Sequence, residues 1–122
     1  GGFKMINNLI KETNYFIDKA CELIDTHHEF APIKNHLLEI KSELKHHNSD
    51  KLLKDFKFLL PYYQERGITV NDKLVSHYLT VIDFYIKTII EQLILNNDMS
   101  NEIVNQHIVQ LMNISDFLNF IK

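Results

Sequence analysis

The sequence predicts an all-α, single-domain bundle of about five helices around a central apolar helix at about residues 71–95. Three observations carry this. Apolar residues recur at three- and four-residue spacing along most of the chain. Only three Gly and two Pro punctuate it, and no segment joins strand-like alternation to turn chemistry. With 122 residues, 45% of them hydrophobic, the chain is long enough to bury one core without disulfides or a structural metal.

The first helix is expected from about residue 4 to 26. Ile6, Leu9, Ile10, Thr13, Phe16, Ile17, Ala20, Leu23 and Ile24 form its apolar face, and Tyr15 stands among the polar residues opposite. Gly1 and Gly2 read as an added remnant and Met5 as a native start, so residues 1–4 carry no argument. Pro32 suits the first turn of a second helix, where a missing N–H has no intrahelical partner. Ile33, Leu37, Ile40 and Leu44 make its stripe.

After His46-His47-Asn48, Ser49 is the expected N-cap of a third helix carrying Leu52, Leu53, Phe56, Leu59 and Leu60. The short turn before it implies an antiparallel hairpin with the second helix. Pro61 is expected to break or kink this helix, leaving a short turn over Tyr62–Arg66 that Gly67 stops.

The central helix is expected to start with Asn71 as N-cap and Asp72 in its first turn. Leu74, Val75, Tyr78, Leu79, Val81, Ile82, Tyr85, Ile86, Ile89, Ile90 and Leu93 fill about half of its circumference. Lys73, Asp83, Lys87 and Glu91 interrupt the run, which argues against a membrane span. A fifth helix follows, capped by Ser100, with Met99 placed to staple against Val104. Ile103, Val104, Ile108, Leu111, Ile114, Leu118 and Ile121 form its stripe, which Asn113–Ser115 could interrupt.

Several chemistries find no support. There is no glycine-rich phosphate loop, no Gly-x-Ser-x-Gly and no His-Glu-x-x-His. The Arg-x4–6-His motif of small helical ribonucleases is missing, because Arg66, the only arginine, has no histidine within that reach. Glu43-Leu44-Lys45-His46 has the Glu-x-x-His spacing of a di-iron ligand pair, but no second copy accompanies it. The pairs His27-His28 and His46-His47 read as helix-end groups that complement the dipole, and His77 and His107 as satisfied residues at the edges of apolar stripes. Cys21 lies beside an apolar face without a nearby base and reads as a packed, inert thiol. The expectation is a protein that is not an enzyme and uses no cofactor and no metal.

A lone cysteine and the lack of a secretory leader point to the cytoplasm. The formal net charge of -3 and the near absence of arginine weigh against specific nucleic-acid recognition. Lys45, Lys51, Lys54 and Lys57 could still meet RNA or another anion, though Glu39, Glu43, Asp50 and Asp55 interleave with them.

The best positive signal is a surplus of aromatics off the main stripes: Tyr15, Phe58, Tyr62, Phe84 and Phe120, with Tyr63 beside them. Some could serve a second core contact, but a set of exposed aromatics marks a protein-binding surface. The expected function is that of a small protein-binding inhibitor, an immunity protein or antitoxin that neutralises a toxin or nuclease by direct contact. Its Asn, Ile and Lys bias fits a bacterial or phage source. The alternatives are a helical RNA-associated subunit of a nucleoprotein complex and a viral or phage inhibitor of a host defence protein. One toxin or enzyme is the expected partner, a second copy of the chain is an alternative to it, and no membrane is expected.

Overall fold

A computed structural model describes residues 2–46, 54–98 and 100–122 of the chain. The all-α bundle is present: five helices, with no strand among the described residues. Helix α1 spans Gly2–Ile24, α2 Ala31–Leu44, α3 Leu59–Arg66, α4 Lys73–Asn96 and α5 Glu102–Ile121.

Four of the helices close a ring. Helix α1 lies antiparallel to α2, with Asp18 bonded to Lys41 and Asp25 to Lys34. It also lies antiparallel to α4, where Phe16 meets both Tyr78 and Tyr85. Helix α5 packs on α4 and meets α2 through His36–Phe117 and Glu43–His107. The result is a four-helix bundle in which α2 and α4 run in the same direction. A single long crossover, residues 45–72, makes this possible. Helix α3 sits within the crossover, which follows α5 along its length, from Phe56 beside Gln110, past Tyr63 on Phe117, to Val70 N–H on the Ile121 carbonyl.

Apolar side chains from every helix meet inside. Ile17 and Ile24 of α1, Leu37 and Ile40 of α2, Ile82, Ile86 and Ile89 of α4, and Ile114 and Leu118 of α5 are almost completely buried. Each sits at the expected helical spacing, so the primary driving force is burial of a continuous apolar stripe from each helix.

The third helix differs from expectation. Residues 54 and 55 are not helical, Phe56–Phe58 form a 3-10 turn, and α3 starts only at Leu59. Asp55 caps that turn by accepting from Lys57 N–H, while the Phe56 N–H is spent on the Gln110 side chain of α5. These bonds draw the backbone out of a helix and onto α5. Pro61 therefore does not end a helix but occupies the first turn of α3, where its missing N–H costs no intrahelical bond. The expected α2–α3 hairpin is replaced by packing of α3 on α5. Ser49, Leu52, Leu53 and the His47-Asn48 step lie outside the described residues, as does Met99.

Gly67 stops α3 as expected. With φ at 61° it adopts the left-handed conformation, and Gly67 and Ile68 donate to the carbonyls of Gln64 and Tyr63. Two caps shift by one residue. Asp72, not Asn71, caps α4 by accepting from Leu74 and Val75 N–H, and Asn101, not Ser100, caps α5 by accepting from Val104 N–H. Helix α5 runs unbroken through Asn113–Ser115 because Ser115 turns its hydroxyl inward onto Asp83. Asp83 is buried rather than a solvent-facing interruption, and its other carboxylate oxygen holds Lys87 at 2.9 Å. Leu74 and Ile103, expected in the stripes, are exposed at the first turns of their helices.

Candidate functional site

Two separate surfaces carry the exposed aromatics. One lies on the α1–α4 face. On α4 the buried positions are Val75, Leu79, Ile82, Ile86, Ile89 and Leu93, and Phe84 lies on the opposite side of the helix at 66% exposure. Tyr15 is 57% exposed at the same level of α1. A chain of rings joins the two across the helix pair. Tyr15 meets Phe16 edge-on at 5.3 Å, Phe16 stacks on Tyr85 at 5.5 Å, and Tyr85 meets Phe84 at 6.1 Å. The Tyr85 hydroxyl donates to the Glu12 carboxylate, and this bond raises its ionisation above the ordinary tyrosine value. The stacked inner rings lie between the two exposed ones and connect them.

The other surface lies on the crossover. Phe56, Leu59 and Tyr63 anchor the segment by facing inward, which turns Phe58 and Tyr62 outward at 65% and 49% exposure. Arg66 lies over the Tyr62 ring at 3.7 Å and donates to the Tyr62 carbonyl. Lys57 stands 4.9 Å above Phe58. Both rings thus carry a cation on one face, and Arg66 is held in place by its own bond. Beside Lys57 opens a cleft of about 770 Å³ lined by Lys54, Glu102, Asn105, Val109 and Asn113 among others. Gln110 fixes its edge, accepting from Phe56 N–H and donating to the Lys54 carbonyl.

Two of the expected docking residues belong elsewhere. Tyr63 is 2% exposed, wedged between Phe117 at 5.1 Å and His36 at 5.6 Å. Burial raises its phenol above the ordinary value. Phe120 is partly buried against the core. Both complete packing, because α5 serves the crossover on one side and the bundle on the other.

The lysine patch is partly neutralised. Lys54 pairs with Glu39, and Lys57 lies 3.4 Å from Asp55. Lys45 is exposed, and Lys51 lies outside the described residues. Both pairs are partly exposed to solvent, so the acidic partners lower the local positive field without cancelling it.

Glu43 of the Glu-x-x-His spacing is buried with an oxygen 3.1 Å from His107 Nδ1, while the ring of His46 turns back to the Ser42 carbonyl. Residues 43 and 46 therefore do not converge on one point. Among the described residues, no group of three or more His, Cys, Asp or Glu side chains is placed to hold a metal ion. Cys21 is buried, and burial above all raises its thiol above the ordinary value. Among the described residues, no helix is long and apolar enough to cross a membrane.

Arg66 is not among the contact residues that the sequence predicts, and Lys57 is predicted as an anion contact rather than as the companion of Phe58. The signal was the Tyr62–Arg66 spacing of four, which stacks the two side chains once the segment is helical. Comparison with protein-family models, curated proteins and solved structures finds no match for this chain.

Proposed function

We propose that the chain is a non-catalytic, stoichiometric binding protein that acts by covering the surface of a toxin or enzyme, in the manner of an immunity protein or antitoxin. The observation that carries this reading is the composition and mounting of the crossover surface. Phe58, Tyr62 and Arg66 are held outward on a segment whose other side is locked into α5. Tyrosine and arginine dominate the energetics of protein interfaces, and pre-ordered side chains lose little entropy on binding. The adjoining cleft offers a concave surface beside the convex rings, so a partner side chain inserting there meets both amide and charged groups. The cations over Phe58 and Tyr62 suit a partner that presents carboxylates around an apolar pocket.

Affinity capture with the intact chain from its native source tests the reading. One dominant protein at equal stoichiometry is the expected result, with Tyr62→Ala and Arg66→Ala each weakening it at least about tenfold. Material dominated by RNA, bound steeply more weakly at higher salt, would replace this reading with that of a nucleoprotein subunit.

A further inference from the structure

Phe84 and Tyr15 of the α1–α4 face share no ring contact with Phe58 or Tyr62 of the crossover, and the charges around them follow a different rule. The outward stripe of α4 is centred on Phe84, which stands at the middle of the helix. His77 precedes Phe84 by seven residues and Glu91 follows it by seven; Thr80 and Thr88 stand four residues to either side. Even spacing alone is a property of any helix stripe. The order of charge is specific: the N-terminal half presents Lys73 and His77, and the C-terminal half presents Glu91. Lys87, the other cation nearby, is already held by Asp83 of the same chain. Such a stripe complements itself only when reversed.

We infer that this face binds a second copy of the chain, forming a two-fold dimer in which the two α4 helices pair antiparallel with Phe84 at the axis. Reversal sets His77 opposite Glu91 of the second copy, where the imidazole N–H can donate to the carboxylate. Thr80 then faces Thr88, and Leu95, 76% exposed, lies along the aliphatic stem of Lys73. The same rotation brings the two α1 helices together across the axis, on one side of the α4 pair. Tyr15 of one copy then lies near Tyr15 of the other, because it is level with Phe84. Around it Lys11 and Lys19 alternate with Glu12, Asp18 and Glu22, so neither sign accumulates. An isologous contact of this kind closes on itself and leaves no free sticky surface. Two helices of 23 and 24 residues, roughly 35 Å long and about 10 Å apart, offer on the order of 700 Å² a side, the scale of a standard interface. The crossover surface remains free in this dimer.

The test is sedimentation analysis of the full chain over a wide micromolar range, with charge-reversal variants. The wild type is expected to dimerise with rising concentration, and Phe84→Lys to weaken the dimer at least about 100-fold with its helical content unchanged. His77→Glu is expected to weaken it by about tenfold or more, because Glu then faces Glu, and the double variant His77→Glu/Glu91→Lys to restore it. Positions 77 and 91 are about 21 Å apart along one helix, so rescue requires contact between copies. A monomeric wild type, a dimer indifferent to Phe84→Lys, or a failure of the double variant to rescue would each overturn the inference. None of these results bears on capture of a partner through Tyr62 and Arg66.

Discussion

The crossover and the α1–α4 face expose aromatic rings by opposite means. On α4 a regular helix does all the positioning: its inner side is buried in the bundle, so Phe84 points outward for as long as the helix exists. Between residue 54 and Leu59 the crossover has only a 3-10 turn of its own, and it borrows its order from α5 through Phe56, Tyr63 and the amide of Gln110. A surface on a helix is thus as stable as the fold. A surface on a crossover is only as stable as its anchors, and can be lost while the bundle persists.

The largest effect should follow removal of an anchor. Phe56 is fully buried, and Phe56→Ala is expected to cost about 3–5 kcal/mol in chemical denaturation. Next comes Gln110→Ala, which deprives the Phe56 N–H of its buried acceptor and the Lys54 carbonyl of its donor. A loss of about 1–3 kcal/mol is expected, together with faster amide exchange at residues 54–58 and unchanged exchange in the middle of α4. Equal acceleration in both regions would erase the distinction between them.

Acidification should act on the crossover through His36. Its ring lies edge-on against Tyr63 and Phe117, and burial lowers its proton affinity below the ordinary 6.5; nearby Lys54 acts in the same direction, Glu39 against it. The folded state therefore holds fewer protons than the unfolded chain between the lowered value and 6.5. Stability is fully present above 6.5 and is lost as pH falls from there through the folded value. The melting temperature should fall more steeply with acid in the wild type than in His36→Phe, and parallel curves would refute this role. The smallest effects belong to the exposed rings themselves. Phe84→Ala and Tyr62→Ala should each change stability by no more than about 0.5 kcal/mol, whatever they do to binding.

The helix faces were legible in the sequence because each is a local periodic pattern. Ile33, Leu37, Ile40 and Leu44 are buried as their spacing requires, and Gly67 ends α3 because a left-handed residue is needed there. The exposure of Phe84 was legible as a question, since its wheel position is opposite the core. The crossover was not legible in the same way. Whether residues 54–58 continue a helix is decided by Gln110, more than fifty positions away, which no local pattern records. The same contact between distant elements separates Tyr62 from Tyr63, adjacent rings of which one faces solvent and the other Phe117. The buried polar residues occupy an intermediate case. Glu43 is three residues after Ile40, His107 three after Val104 and Asp83 four after Leu79, so each lies on an apolar face. Hydropathy marks Glu43 and Asp83 as surface, and the sequence puts His107 at a stripe edge; helix phase is consistent with the burial of all three.

The independence of the two surfaces is the central claim, and the mass of the partner-bound complex under native conditions tests it most directly. Two chains with two partner molecules are expected for the wild type, and one chain with one partner for Phe84→Lys. Loss of partner capture in Phe84→Lys would contradict the account, because both rings would then belong to a single docking site.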